Sequence, residues 1–358
     1  MSLSSKPDGV ALAERLSSLG FGAAPIGNLY RKVNTEDAEA AVQAALQGGV
    51  RYFDTAPFYG FGLSEKRLGN ILAEATDDAA ERTDKIIIST KVGRCLKALA
   101  AADNSLRYGF VSEEAYEPYF DYSYDGVMQS FEASLQRLNL ERIDVLLAHD
   151  LGEETHGPRS EEHLRQFFSG GYQAMRELKD TGRVSALGIG LNECAACEQI
   201  IREVDLDCIL LAGRYSLLDQ SAADKVFPLC AEKEICVILG GVFNSGILAT
   251  GVRDQKDHFY NYAPASPEIM ARVEKIEKVC SEYSVSLPTA ALQFPFLNKH
   301  VASVLVGMAN AEQVNQVLQY REKKIPSAFW QSLIREGLIS EANDLQENLP
   351  KTMQEGAA

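Results

Sequence analysis

The stretch Arg51-Tyr-Phe-Asp-Thr-Ala-Pro-Phe-Tyr-Gly60 joins a short apolar, aromatic run to a loop that carries polar side chains. The run is typical of a buried strand, and Asp54 stands at its end. Pro57 and Gly60 then break the chain into a loop that holds Tyr59. Taken alone, an acid at a strand end and a phenol five residues later are equally well explained by a capped turn. Their meaning depends on what the rest of the chain places beside them.

The same order of an apolar strand followed by a helical segment recurs eight times along the chain. The strands are continuous apolar runs, as expected when both faces of a parallel sheet are buried. Eight such units close naturally into a barrel, so we predict an α/β fold of the (β/α)8 TIM barrel type. The predicted strands are 19–27 running into a loop, 52–53, 85–91, 143–149, 184–189, 208–212, 236–239 and 301–306. The predicted helices are 35–47, 64–75, 124–138, 167–179, 194–204, 221–233, 267–283, 288–297, 311–320 and 326–336.

A doubly wound open sheet is the alternative to the barrel. It calls for a Gly-x-Gly-x-x-Gly turn directly after its first strand. Gly20-Phe-Gly22 and Gly188-Ile-Gly190 both lack the third glycine, and a proline follows the first of them where a helix should start. The barrel is therefore the favoured fold.

The chain divides into three predicted segments: a lead-in over residues 1–16, the catalytic barrel over 17–322 and a C-terminal extension over 323–358. The extension contains the last predicted helix and then becomes polar and acidic. Segments of that composition bury too little apolar surface to fold, so we predict disorder past Gln346.

Composition and charge exclude several classes of function. The net charge of −15 and the pI of about 4.9 disfavour binding to nucleic acid or to an anionic membrane surface. No apolar run reaches the roughly 18 residues of a membrane span, and the N-terminus lacks the apolar segment of a signal peptide. Cys194-Ala-Ala-Cys197 has a metal-ligand spacing without a second pair, so we predict no metal site. We expect a cytoplasmic protein that is either a monomer or a homo-oligomer.

Four polar residues stand at or just after the ends of neighbouring predicted strands: Asp54, Tyr59, Lys91 and His149. Reacting groups collect at the carboxyl ends of strands in a parallel barrel, so we expect these side chains to gather. An ammonium group near the phenol would lower the pKa of Tyr59 from its usual value of about 10, and a carboxylate would hold that ammonium in place. A neutral histidine can donate a hydrogen bond to a substrate oxygen. The group suits proton transfer to or from a carbonyl or hydroxyl oxygen.

Two other functions use the same residues. Lys91 is a candidate nucleophile for a Schiff-base lyase, although a neighbouring acid and tyrosine suit ion pairing better. A non-catalytic subunit that senses dinucleotides is the second alternative. Two long loops, 93–125 with its tyrosines and Arg107, and 150–159, are predicted to cap the pocket and to set the choice of substrate.

Three stretches together resemble the aldo-keto reductase family: Asp54-Thr-Ala-Pro-Phe-Tyr-Gly60, Ser89-Thr-Lys-Val-Gly93 and Ile143-Asp-Val-Leu-Leu-Ala-His-Asp150. The resemblance extends over about residues 17–322. It implies a barrel enzyme that uses NAD or NADP, with Tyr59 as general acid and base. It also implies that Lys91 and Asp54 tune this tyrosine, and that His149 positions the substrate.

Finer features are similar to one branch of that family, the D-threo-aldose 1-dehydrogenases, which include L-fucose dehydrogenases. Pyridoxal 4-dehydrogenase and plant L-galactose dehydrogenase are similar to this branch. The resemblance implies oxidation of a cyclic hemiacetal at C1 to a lactone, with an aldose such as L-fucose, L-galactose or D-arabinose as substrate. Pyridoxal oxidation and general aldehyde or ketone reduction are the alternatives. The stretches that carry this similarity are 22–30, 120–126, 155–157 and 212–219.

The resemblance also implies a dinucleotide site along one rim of the barrel. Gly240 stands where many members carry the aromatic residue that stacks on nicotinamide, and Ala212 replaces a usual glutamine. Members that prefer NADP usually place a cation after the eighth strand, whereas Gly307-Met-Ala-Asn-Ala-Glu-Gln313 contains none. We therefore predict NAD rather than NADP as cofactor and oxidation as the working direction. The implied cofactor contacts are Gly22, Asn28, Asp54, Asn192, Tyr215, Gly241, Val242, Phe243, Gly307, Asn310 and Gln313.

Overall fold

A closed barrel of eight parallel strands forms the centre of the protein, which confirms the predicted fold class. The computed structural model describes residues 8–75, 85–101, 105–253 and 257–340. Each strand pairs with its neighbours in chain order, and the last strand closes on the first. The barrel strands are β1 (Leu19–Gly22), β2 (Tyr52–Asp54), β3 (Ile87–Val92), β4 (Ile143–His149), β5 (Val184–Leu191), β6 (Cys208–Ala212), β7 (Cys236–Gly240) and β8 (Val301–Gly307).

The strand register brings the carboxyl ends of all eight strands to one rim. Asp54 at the end of β2 lies level with Gly22 of β1 and with Ser89 of β3. His149 at the end of β4 lies level with Gly190 of β5. Because parallel strands share a direction, the loops that follow them meet at this rim.

Helices surround the barrel and bury its outer face. Several begin at side-chain caps of the expected kind: the Asn34 side chain accepts a hydrogen bond from the Asp37 amide at 2.6 Å, and Ser123 accepts one from Gly126 at 3.1 Å. The helices span Asp8–Arg15, Thr35–Gln47, Leu63–Ala75, Tyr124–Leu138, Glu153–His156, Ser160–Gln166, Tyr172–Asp180, Cys194–Glu203, Val226–Glu232, Ile247–Thr250, Pro267–Glu282, Leu287–Gln293, Ala311–Glu322 and Ser327–Arg335. Short 3-10 segments span Pro25–Gly27, Gly157–Arg159, Asn244–Gly246 and Phe294–Leu297.

Two helix predictions were wrong at their boundaries. The helix predicted over 167–179 begins earlier, at Ser160, and passes through a π-helical turn at Phe167–Gly171 before it continues. The helix predicted over 221–233 begins only at Val226. Residues before it form a turn, because the Asp219 carboxylate accepts hydrogen bonds from both the amide and the hydroxyl of Ser221.

The predicted lead-in contains a helix, Asp8–Arg15, that packs below the barrel at the amino ends of the strands. Leu12 and Leu16 join the inward-facing side chains of the strands in one buried cluster. That cluster includes Tyr52, Val145 and Ile238. Apolar side chains therefore fill the lower barrel, and polar side chains are found toward the upper rim.

The predicted insert after β3 folds into two small antiparallel hairpins. Strand Arg94–Ala98 pairs with Tyr116–Phe120, and Leu106–Arg107 pairs with Phe110–Val111. A third hairpin, Phe259–Tyr260 with Ala263–Pro264, follows β7 and its helix. These hairpins extend the loops at the carboxyl ends of β3 and β7.

The C-terminal helix Ser327–Arg335 packs on the barrel's outer helices through Phe329 and Trp330. The disorder predicted past Gln346 lies outside the described residues. Within the described ranges, no helix is long and apolar enough to cross a membrane.

Candidate active site

Three neighbouring strands bring the four predicted catalytic side chains together at the carboxyl rim. Asp54 ends β2, Lys91 is the penultimate residue of β3, and His149 ends β4. Tyr59 lies in the loop after β2, and its ring centroid is 6.0 Å from that of His149. The Lys91 ammonium nitrogen lies 4.7 Å from the centroid of the Tyr59 ring. The sequence prediction of a cluster at this rim therefore agrees with the geometry.

Lys91 and Asp54 form a buried ion pair beneath the tyrosine. The Lys91 ammonium donates to Asp54 Oδ2 and to the carbonyl oxygen of Thr55, each at 2.7 Å. Ser89 donates to the other oxygen, Asp54 Oδ1, also at 2.7 Å, and the Tyr52 hydroxyl lies 3.0 Å from Ser89 Oγ. Because both charges are almost fully buried, these partners offset a large desolvation cost. The pair is a fixed support for the reacting groups above it.

Tyr59 is half-buried at the mouth of the barrel, with its ring stacked against Phe110 at a centroid distance of 6.0 Å. Burial raises the pKa of its phenol well above the usual value of 10.0, and the carboxylates of Asp54 and Asp150 raise it further. The expectation of a lowered pKa was wrong in its net direction. The reason is that burial of the phenol and the two carboxylates oppose its ionisation, whereas only Arg94 favours it among the charges that shift this pKa. Tyr59 is therefore a protonated group that can donate.

His149 is a neutral imidazole at the same mouth. Burial lowers its pKa to about 3; Asp150 opposes that shift, whereas the cations Lys91 and Arg94 add to it. Its Nδ1 atom is buried and has no hydrogen-bond partner among the described residues, and its Nε2 lies 3.5 Å from Asp150 Oδ2. A neutral ring of this kind donates a hydrogen bond to a substrate oxygen without carrying a charge.

Sequence reasoning did not assign four residues that line this mouth. Arg94 and Asp150 form an ion pair at 2.5 Å beside His149, and the Arg94 guanidinium carbon lies 3.3 Å from the centroid of the Phe58 ring. Phe110 stacks on Tyr59. Arg94 and Asp150 each follow a predicted catalytic strand within a few residues, which was the one signal in the sequence that could have found them.

Tyr122 is a further residue that sequence reasoning missed, and it lies behind the rim. Its buried hydroxyl donates to the carbonyl oxygen of His149 at 2.6 Å and lies 3.1 Å from His156 Nε2. A Cβ on Gly93, whose φ is +95°, would lie 2.1 Å from the Tyr122 ring, so only glycine fits there. The insert is in this way packed against the backbone that carries His149.

Several predicted cofactor contacts lie along the rest of the same rim, on the strands that run from β5 round to β1. Gly22 ends β1 and Gly307 ends β8, and these two residues are paired in the strand register. Gly241 follows β7 with a φ of +66°, Val242 beside it is buried, and Phe243 is half-buried. Asn192 directly follows β5, and its carbonyl oxygen accepts a 2.6 Å hydrogen bond from Arg214 Nε.

Asn28 and Tyr215, two further predicted cofactor contacts, are both held by contacts within the protein. The Asn28 side chain is buried and holds its own loop, since it accepts from the Val33 amide at 3.0 Å and donates to the carbonyl oxygen of Val111 at 2.8 Å. The Tyr215 ring is buried between Phe227 and Phe294, at centroid distances of 4.9 and 5.0 Å. The sequence did not show which way each side chain would face.

Asn310 and Gln313 hold the turn after β8. Asn310 Oδ1 caps the following helix by accepting from the Gln313 amide at 2.9 Å, and Gln313 Oε1 accepts from the Ala309 amide at 2.8 Å. Each of these oxygens accepts one hydrogen bond within the turn and has a second lone pair, and each side-chain NH2 group has two donors. Residues 307–313 contain no lysine or arginine.

Gly240 ends β7 at the rim and carries no side chain. A Cβ there would lie at ordinary contact distance, 3.6 Å, from Ala212. Gly240 is half-buried and Gly241 is exposed, so backbone groups at this end of β7 are accessible to a dinucleotide cofactor. No group of His, Cys, Asp and Glu in the described part of the chain could hold a metal ion.

The sequence profile of the Aldo/keto reductase family matches residues 18–335. This chain belongs to that family. It is therefore an oxidoreductase of the nicotinamide-dependent kind that acts on a small-molecule substrate. Lys91, the alternative lyase nucleophile, forms a 2.7 Å ion pair with Asp54.

Characterised aldo/keto reductases resemble the chain over nearly their whole length. It is 41% identical over 334 residues to pyridoxal 4-dehydrogenase from Microbacterium luteolum, which covers 91% of this chain and 95% of that protein. It is 36% identical over 341 residues to D-threo-aldose 1-dehydrogenase from a Pseudomonas species, which covers 94% and 98%. A glycerol dehydrogenase from Gluconobacter oxydans shares the fold with a TM-score of 0.67 at 19% identity, over 91% of this chain and 94% of the other.

Proposed function

We propose that this aldo/keto reductase oxidises a cyclic hemiacetal at its C1 hydroxyl and releases a lactone, with NAD as the preferred cofactor. The observation that carries the proposal is the position of Tyr59 between the buried Lys91–Asp54 pair and the neutral imidazole of His149. A tyrosine in this setting transfers a proton at the oxygen of a reacting carbon.

A bound nicotinamide would accept the hydride, and the protein residues orient the substrate and transfer the proton. His149 donates a hydrogen bond to the substrate oxygen and orients the hydroxyl toward Tyr59. Tyr59 takes the hydroxyl proton in the oxidation direction, which requires its phenolate form. The raised pKa of Tyr59 makes that form scarce at neutral pH, and the Lys91 ammonium 4.7 Å from the ring centroid is the nearby charge that favours it.

The substrate class follows from the relatives and from the reaction. The chain is 36% identical to a D-threo-aldose 1-dehydrogenase, which supports an aldose such as L-fucose, L-galactose or D-arabinose. The 41% identity to a pyridoxal 4-dehydrogenase favours pyridoxal as the second candidate. Pyridoxal closes on its own hydroxymethyl group to form a cyclic hemiacetal, so both candidates present the same reacting carbon.

The preference for NAD rests on the turn after β8. No lysine or arginine occurs at residues 307–313 to bind a 2′-phosphate, whereas Asn310 and Glu312 suit a free ribose. Initial rates with NAD and NADP at equal concentration test this preference. A clear preference for NADP would show that cations from another segment reach the site.

We also propose a cytoplasmic location. All seven cysteines are free, as expected in a reducing compartment. The net charge of −15 disfavours nucleic acid and membrane surfaces as partners.

The deciding experiment is NADH formation with L-fucose, L-galactose, D-arabinose and pyridoxal as separate substrates. We expect turnover with at least one of them and lactone as the product, identified by mass spectrometry. Tight binding of cofactor without turnover of any aldose, pyridoxal or aromatic aldehyde would favour the non-catalytic, dinucleotide-sensing alternative instead.

A further inference from the structure

We propose that the Arg94–Asp150 ion pair binds the substrate hydroxyl next to the reacting carbon, and that it thereby selects polyhydroxylated hemiacetals. The inference rests on the proposed function and deepens it, because it names the groups that the substrate must carry. Arg94 begins the hairpin strand Arg94–Ala98, and Asp150 directly follows His149 at the end of β4.

The ion pair lies beside the group that positions the reacting oxygen. Arg94 Nη1 is 2.5 Å from Asp150 Oδ2, and the same carboxylate oxygen is 3.5 Å from His149 Nε2. Each side chain of the pair is 16% exposed, so both keep some accessible surface beside His149. An oxygen bound to His149 Nε2 would lie close to the Asp150 carboxylate.

The backbone holds the Asp150 carboxylate in this place at a conformational cost. Asp150 has a φ of +55°, in the left-handed region that residues other than glycine rarely adopt. The Asp150 amide donates to the carbonyl oxygen of Gly190 at 2.9 Å, and the carbonyl oxygen of Asp150 lies 3.2 Å from the Tyr122 hydroxyl. Strained residues of this kind concentrate at ligand sites, where the surrounding structure fixes them.

The pair keeps unused hydrogen-bonding capacity on both of its members. The hydrogen bond between them joins Arg94 Nη1 to Asp150 Oδ2, so Asp150 Oδ1 and the remaining Nη hydrogens lie outside that bond, whereas Arg94 Nε is buried without a partner among the described residues. The Arg94 guanidinium lies over the Phe58 ring at 3.3 Å, which fixes its plane. A hydroxyl group both donates and accepts, so it can bond to a carboxylate and a guanidinium at once. An unsubstituted ring carbon could satisfy neither.

The test compares three substrates that share one reacting group: L-fucose, 2-deoxy-L-fucose and tetrahydropyran-2-ol. The wild-type enzyme should prefer L-fucose over its 2-deoxy analogue by about 10- to 100-fold in kcat/KM, the range for a hydrogen bond to a charged group. In Asp150→Ala that ratio should fall to about 3 or less. Arg94→Lys keeps the charge but loses the planar fork, so its ratio should lie between the two.

Lys32→Met is the matched control. Lys32 forms an ion pair with Glu113 in which the two charged atoms are 2.6 Å apart, and both side chains are exposed to solvent. Its substrate ratio should equal that of the wild-type enzyme, and thermal melting curves should show that every variant is folded. An unchanged ratio in a folded Asp150→Ala variant, or a wild-type enzyme that does not distinguish the 2-deoxy sugar, overturns the inference while hemiacetal oxidation stands. Absence of NADH formation with these three hemiacetals overturns this inference, and the proposed function falls with it only when L-galactose, D-arabinose and pyridoxal also give no NADH.

Discussion

The hydroxyl of Tyr122 donates a hydrogen bond of 2.6 Å to the carbonyl oxygen of His149. It also lies 3.2 Å from the carbonyl oxygen of Asp150 and 3.1 Å from His156 Nε2. A hydroxyl has one proton to donate, so the proton on His156 Nε2 must point toward the Tyr122 oxygen. The insert therefore fixes the turn from which His149 enters the cleft.

Tyr122→Phe should lower kcat by roughly 10- to 100-fold with little change in KM for the cofactor, because a small displacement of His149 misaligns the reacting oxygen. The fold should survive, since the substitution removes only the hydroxyl. Steady-state kinetics and a thermal melt measure both effects. Tyr124→Phe is the control, because its hydroxyl bonds to Glu177 on the exposed surface. Equal kinetics for the two variants would contradict a positioning role for Tyr122.

Tyr59→Phe should reduce turnover by roughly 100- to 10,000-fold, the range expected when a general acid or base is removed. Binding of NADH, followed by its fluorescence, should remain close to that of the wild-type enzyme. Tyr108→Phe is the matched control, since Tyr108 also lies near the mouth but bonds to Glu117. If Tyr59→Phe retains the wild-type rate, Tyr59 is not the group that transfers the proton.

Asp54→Asn should destabilise the fold by about 3–5 kcal/mol, because it leaves the buried Lys91 ammonium without its charge partner. Adding Lys91→Met should restore part of that loss, although the double variant should be inactive. Urea unfolding followed by circular dichroism measures the free energies. Glu113→Gln in the exposed Lys32–Glu113 pair should leave stability nearly unchanged. A comparable loss in both single variants would count against a special role for burial.

Oxidation should accelerate as the pH rises from 7 to 9. The pKa of Tyr59 lies well above 10.0, so the phenolate fraction grows about tenfold per pH unit across this range. The reverse reaction uses the protonated phenol and should stay nearly constant over the same interval. The measurement is kcat/KM for oxidation and for reduction at each pH. A flat oxidation profile would mean that another group accepts the proton.

His149 should make the fold less stable in acid. Its pKa is about 3 in the folded protein, against about 6.5 in an unfolded chain, so between these values only the unfolded state binds the proton. The free energy of unfolding should therefore fall as the pH drops from 6.5 toward 3, by at most about 1.4 kcal/mol per pH unit for this site. His149→Gln should show a shallower decline in urea unfolding at several pH values. If the free energy of unfolding of His149→Gln falls with pH as steeply as that of the wild-type protein, His149 does not contribute to the loss of stability in acid.

The cluster of Asp54, Tyr59, Lys91 and His149 could be predicted because three of its members interrupt or end an apolar strand and Tyr59 lies in the loop directly after one. A lysine and a histidine at the ends of buried runs need a shared polar environment, and parallel strands supply one rim for it. The same reasoning placed Asp54 at the end of a strand and Tyr59 in the following loop, because Pro57 breaks the chain between them. The repeated apolar runs and the chain breaks at proline and glycine were enough to predict where these residues lie.

Other features depend on tertiary contacts that no local pattern encodes. The Arg94–Asp150 pair forms only because a hairpin inserted after β3 folds back over β4 and Asp150 adopts a left-handed conformation. The pKa of Tyr59 was predicted in the wrong direction because burial of the phenol outweighs the paired ammonium. The contacts that bury the side chains of Asn28 and Tyr215 likewise depend on their tertiary surroundings.

The helix Asp8–Arg15 covers the end of the barrel at the amino ends of its strands. Leu12 and Leu16 close the end opposite to Tyr59. Substrate, cofactor and product must then all enter and leave at the rim that carries Tyr59, and whichever molecule lies deepest has to bind first and leave last. The order of binding and release is therefore set by the single open end of the barrel.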